Sequence, residues 1–146
     1  MKRVVTGHDQ DGKSVFVSIG EPPHTVALEH GTQLTYCWKT SGTPVVPATG
    51  SDPTLAVSSI YPTLGEISFG IVQVPGNVQG SMHTTDTVDY ITIVSGEIWL
   101  VLDDGGEVHL TPGDCVIQNG TRHAWHTRTP EPCVFVGVVV GAKRQD

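Results

Sequence analysis

From Glu66 to Val140 the chain repeats one pattern: a short apolar run, a tight turn, another short run. Glu66–Val74 ends at Pro75-Gly76-Asn77. Asp89–Val94 turns at Ser95-Gly96, Glu97–Leu102 at Asp103 to Gly106, and Glu107–Leu110 at Pro112-Gly113. Cys115–Gln118 turns at Asn119-Gly120, His123–Arg128 at Pro130-Glu131-Pro132, and Cys133–Val140 closes the series. Runs this short cannot make helices. Their Val, Ile and Thr content with evenly placed Gly, Pro and Asn turns predicts strands, and strands at this spacing make an antiparallel sandwich or barrel. The 17 glycines and 10 prolines are spread along the chain as turn punctuation rather than gathered into a linker.

The first 65 residues carry the pattern less clearly. Thr6–Lys13 reads as a polar lead, Ser14–Ile19 as a strand stopped by Gly20-Glu21-Pro22-Pro23, and Thr32–Lys39 as a second strand. Thr40–Gly65 is rich in Pro, Gly, Ser and Thr. A stretch of that length without strands is either a lid or arm over a site or a plain surface loop. No boundary divides the chain, so 1–146 is expected to be one domain, with 1–65 an N-terminal arm and loop region and 66–141 the barrel core.

A net charge of −7 argues against nucleic acid and anionic membrane surfaces, which need clustered Lys and Arg. No apolar run reaches membrane-spanning length and Met1-Lys2-Arg3 leads into no signal-peptide core, so a cytoplasmic protein is expected. Cys37, Cys115 and Cys133 match no zinc spacing and read as small buried hydrophobes in strands.

Two stretches carry the chemistry. The first runs from Met82 to Gly96 and holds His83, Thr85 and Asp89. The second runs from Pro112 to Thr127 and holds Gln118, His123 and Trp125. Side chains alternate along a strand, so His83 and Thr85 share a face, as do Asp89, Ile91 and Ile93, and as do His123 and Trp125. His126 points the other way and Tyr90 faces outward.

These two stretches resemble the paired motifs of the cupin family. His83 fits the first histidine of that family's first motif, Asp89 its glutamate and Gly96 its closing glycine. Pro112-Gly113-Asp114 and Gly120-Thr121-Arg122-His123 fit the second motif. Thr85 stands where the second histidine is usual, Gln118 where a proline is, and Thr127 where an asparagine is. The resemblance implies an all-β, cupin-type antiparallel β-barrel (double-stranded β-helix or jelly roll) with few or no helices. It implies a site at the barrel mouth formed by His83, Asp89 and His123, with Thr85, Ile91, Ile93, Gln118 and Trp125 as substrate-binding neighbours. Two histidines and a carboxylate are a set that can hold one divalent metal (Fe, Mn, Zn or Ni) with coordination positions left open. The same three groups without metal are an acid–base set.

Three functional readings follow. The first is a lyase or isomerase of secondary metabolism, catalysing dehydration, decarboxylation or isomerisation of a small organic substrate, as the layout resembles cupins of polyketide and related pathways. The second is a non-haem metal-dependent oxygenase. The third is a non-catalytic ligand-binding or sensor cupin. The resemblance also implies a homodimer to which Ser14–Ile19 or Thr32–Lys39 contributes.

Overall fold

The computed structural model describes residues 1–48 and 50–145. Eleven strands follow in chain order: β1 (Arg3–His8), β2 (Ser14–Gly20), β3 (Thr25–Ala27), β4 (Gln33–Ser41), β5 (Glu66–Val74), β6 (Thr87–Ser95), β7 (Ile98–Leu102), β8 (Glu107–Leu110), β9 (Cys115–Gln118), β10 (His123–His126) and β11 (Cys133–Gly141). The only helical turns among the described residues are two short 3-10 segments, Glu29–Gly31 and Pro53–Ala56. The strand reading from Glu66 onward therefore holds almost residue for residue.

All pairings are antiparallel. A six-stranded sheet in the order β3-β4-β5-β11-β6-β9 is opposed by a three-stranded sheet in the order β10-β7-β8. The core joins the two. Val74, Ile91, Ile93, Val116 and Phe135 from the large sheet meet Ile98 and Leu110 from the small one, with Leu100 and Trp125 packed against them. Alternation along each strand puts every second side chain into this layer. Ile98 has no exposed surface, and full burial of such a side chain contributes about 1.5–3 kcal/mol.

The turns that reverse the chain are where residue identity matters most. Gly96, between β6 and β7, has φ near +70°, and a Cβ there would collide with the Pro132 carbonyl. Only glycine combines that conformation with that approach.

The first 65 residues hold more structure than the sequence suggested. Arg3–His8 is a strand, although Thr6–Lys13 read as a polar lead. It pairs with β2 as a separate hairpin, closed by the Asp9 carboxylate, which accepts from the backbone N–H of Asp11 and of Lys13. β4, expected as Thr32–Lys39, extends to Ser41 and joins the large sheet beside β5. Between β4 and β5 the chain forms a strap. Gly42 N–H bonds the Gly65 carbonyl at its base. Asp52 caps the turn at Pro53–Ala56 by accepting from Thr54 N–H. The Arg3 guanidinium reaches across from the hairpin to the Asp52 carboxylate, the Thr54 hydroxyl and the Cys37 carbonyl. The Tyr36 hydroxyl donates to the Ile60 carbonyl at 2.9 Å.

Arg3 holds the Asp52 carboxyl down at about 2, below the ordinary aspartate value. A depressed folded-state pKa stabilises the fold above the unfolded value, and that stabilisation is lost as pH falls toward about 2. Arg3→Ala is expected to cost about 2 kcal/mol, the scale of hydrogen bonds to charged groups. It should also open the 42–65 strap to limited proteolysis. Thermal melts at pH 7 and pH 3 with mass mapping of the nicks check both, and the difference between variant and parent should shrink at the lower pH.

Candidate active site

Segment 78–83 runs antiparallel beside β10 without forming a continuous strand. At its end His83 N–H bonds the His123 carbonyl and His123 N–H bonds the His83 carbonyl, each at 2.9 Å. Residues that exchange both backbone bonds lie directly opposite, with side chains on one face. Two histidines forty positions apart are thereby placed side by side, their ring centroids 4.3 Å apart.

The rings are also fixed in tautomer. His83 Nδ1 lies 3.0 Å from the Ser81 carbonyl oxygen, and His123 Nδ1 lies 2.9 Å from that of Thr121. A carbonyl only accepts, so each Nδ1 carries the proton. Each neutral ring then has its lone pair on Nε2. His123 is 2 % exposed. Burial pushes its pKa below the ordinary histidine value; the Thr121 carbonyl partly opposes this, and His83 adds to the lowering. Trp125 stands edge-on to His123 at 5.7 Å and packs against Phe135 at 5.4 Å.

Asp89 enters from β6, flanked by Val139 on β11 and Gln118 on β9. Its Oδ1 is buried without a hydrogen-bond partner. Desolvation raises the carboxyl pKa, with Thr87 and His83 pulling it partly back. A buried carboxylate oxygen left without a donor is costly, which is why burial shifts this carboxyl upward.

These groups open on one cavity of about 700 Å³, within the range of small-molecule sites. His83, Thr85, Asp89, Ile91, His123 and Trp125 all line it. Two residues expected at the site do not. Ile93 is sealed in the core below the cavity. Gln118 faces inward beside Asp89 but is buried, and its side-chain oxygen accepts from Thr121. Alternation alone could not see that the cavity ends between Ile91 and Ile93, or that the turn at Thr121 takes up Gln118. His126 is not among the lining residues.

The first half of the chain supplies lining that the motifs did not reveal: Leu34 and Tyr36 of β4, Glu29 and His30 near the first 3-10 segment, and Ile60 and Tyr61 of the strap. Tyr61 is half-exposed; its partial burial raises the hydroxyl pKa, and Asp89 and then Glu29 raise it further. A Tyr-Pro pair in a Pro/Ser/Thr-rich stretch is a faint signal, legible only once the strap is seen to cross the cavity.

Among the described residues no three His, Cys, Asp or Glu side chains form a group that could hold a metal ion. The donors that converge are the two imidazoles, so a set of His83, Asp89 and His123 acting together as ligands does not fit this arrangement.

The fold and site together define a β-barrel protein with a histidine-bearing cavity at its mouth. The family model described as Cupin domain matches residues 70–140. "Phomopsin biosynthesis cluster protein C'" of Diaporthe leptostromiformis is 35% identical over 136 residues, covering 87% of this chain and 70% of that protein. "Cupin-domain-containing oxidoreductase fogC" of Aspergillus ruber is 31% identical over 84% of this chain and 62% of its own length. The chain belongs to the cupin family. A likeness of fold alone extends to the Schizosaccharomyces pombe Cnp3 cupin domain, at TM-score 0.55 and 10% identity over 96% of this chain and 87% of that one. No helix among the described residues is long and apolar enough to cross a membrane.

The tautomers are directly measurable. Nitrogen-15 NMR of the histidine rings at pH 8 is expected to show His83 and His123 both protonated at Nδ1. On acidification His123 should titrate below the ordinary value of about 6.5. Because its folded pKa is depressed, fold stability is full above that value and declines as pH falls below it. An Nε2–H signal for either ring would contradict the geometry.

Proposed function

We propose that this cupin is a small-molecule enzyme of secondary metabolism, of lyase or isomerase type, working by proton transfer between His123, His83 and Asp89. The observation that supports it is the pair of imidazoles locked by Ser81 and Thr121 with both Nε2 lone pairs free. A base must present its lone pair before the substrate arrives, and a buried neutral imidazole does so. His123 Nε2 takes a proton from a carbon next to a carbonyl. For dehydration, the C–O bond at the neighbouring carbon breaks, and the departing hydroxyl receives a proton from Asp89 and leaves as water. For isomerisation, the proton returns to a different carbon. His83 beside His123 disfavours a second positive charge and keeps the pair from becoming doubly cationic.

The relatives support the setting. Phomopsin biosynthesis cluster protein D of Diaporthe leptostromiformis is 34% identical over 70% of its length, and others bear the name oxidoreductase. That name favours a second reading, metal-dependent oxidation. Two neutral imidazoles tied through Nδ1 to backbone carbonyls are a usual arrangement for metal ligands, although here a third protein ligand is not in place. Homodimerisation is part of the proposal and rests on β2, where Phe16, Val17 and Ile19 are exposed on the hairpin. Light scattering that shows a monomer at micromolar concentration would end that part.

Aryl β-hydroxy ketones incubated with the protein in deuterium oxide and followed by proton NMR test the reaction. Dehydration or deuterium exchange beside the carbonyl is expected. His123→Ala and His83→Ala should each slow it by roughly a hundredfold, the lower end for lost acid–base catalysis, with His126→Ala near parental. The rate should trace a bell. Its acid limb comes from protonation of His123, and its alkaline limb, from ionisation of Asp89, should vanish in Asp89→Asn. Stoichiometric iron or manganese with oxygen consumption would replace this reading by the second.

A further inference from the structure

The charge of the cavity wall is one-sided. Among the described residues no Lys and no Arg lines it, while two carboxylates, Glu29 and Asp89, do. The guanidinium near this end, Arg144, is engaged elsewhere: it bonds the Asp86 carboxylate and the carbonyls of Thr85 and Gly120. Glu29 is a rim group, its side chain 80% exposed. Asp89 is the interior one, with an orphaned oxygen. A carboxylate or phosphate ligand would enter without a permanent cation to meet it and with a carboxyl already inside. Desolvating such an ion unpaired is strongly unfavourable.

The rest of the wall is apolar and aromatic. Tyr36, Tyr61, Trp125 and Phe135 contribute rings around a space of about 700 Å³, enough for a molecule of two or three fused rings. Of the two tyrosines in the wall, Tyr36 spends its hydroxyl on the Ile60 carbonyl, whereas the hydroxyl of the half-exposed Tyr61 has no hydrogen-bond partner among the described residues. It is presented by the strap that Arg3 and Tyr36 hold down.

We propose that the cavity takes an uncharged aromatic molecule bearing a carbonyl or similar acceptor, oriented by a hydrogen bond from the Tyr61 hydroxyl, and that it rejects carboxylates and phosphates of the same size. This rests on the proposed small-molecule site and names the class of ligand it holds. Tyr61 is a positioning residue that touches the ligand, and it takes no part in the proton transfer.

Three probes of one shape separate the alternatives: 2-naphthamide, 2-naphthoate and 2-naphthylmethylammonium, titrated calorimetrically at pH 7.5 into the full chain. The neutral amide is expected to bind at least about tenfold more tightly than either ion, because only the ions carry the desolvation penalty. Tyr61→Phe should weaken the amide by about threefold to tenfold, the range for one neutral hydrogen bond, with an unchanged melting curve. Naphthoate binding as tightly as the amide, the ammonium binding most tightly, or none of the three binding at millimolar concentration would overturn the proposal. Because binding is read without turnover, the two claims separate. If His123→Ala leaves the ranking of probes intact while catalysis is absent even in the parent, the reaction fails and the ligand class stands. A reversed ranking with turnover intact sinks the ligand class alone.

Discussion

The reciprocal pair of backbone hydrogen bonds between His83 and His123 is the constraint on which the site depends. It ties the irregular segment before β6 to the edge of the small sheet. Because facing residues in such a pair project to one side, it converts two distant positions into one chemical unit. The adjoining carbonyls of Ser81 and Thr121, each two residues before its histidine, then set the tautomers. Backbone geometry thus fixes both where the imidazoles stand and which nitrogen is basic. A change in either flanking loop would shift the imidazoles or their tautomers without altering either histidine.

A second layer of dependence runs through the first half of the chain. The motif half of the barrel supplies the histidines, Asp89, Ile91 and Trp125, but it leaves the wall incomplete. β4 and the strap complete it with Leu34, Tyr36, Ile60 and Tyr61. The strap is held by Arg3 from a hairpin that takes no part in either main sheet. The barrel half therefore carries the two imidazoles and Asp89, and the first half of the chain supplies the rest of the wall around them.

What the sequence disclosed follows the same division. Strands from Glu66 onward were legible because turn residues bound them and alternation fixes the faces. His83, Asp89, Ile91, His123 and Trp125 could be placed by parity and motif spacing. β1 was missed because Arg3–His8 mixes polar and apolar residues and pairs only with its own hairpin partner. Tyr61 was missed because its role depends on a tertiary crossing that no local pattern encodes. Gln118 and Ile93 were read by parity as cavity residues, and parity does face both inward. What it cannot give is the depth at which open space ends and solid packing begins.

The cavity's composition also governs which reactive molecules could reside there. Among the described residues its wall offers no lysine amine and no thiol: Cys37 and Cys133 are buried away from it and Cys115 is exposed on β9. Aldehydes and conjugated enones, which amines capture as imines and thiols capture by addition, would meet neither trap inside this barrel. A dehydration that turns a hydroxy ketone into an enone creates such an electrophile beside the protein. Without those two traps, the imidazoles of His83 and His123 are the nucleophiles such an electrophile would meet in the wall near Asp89.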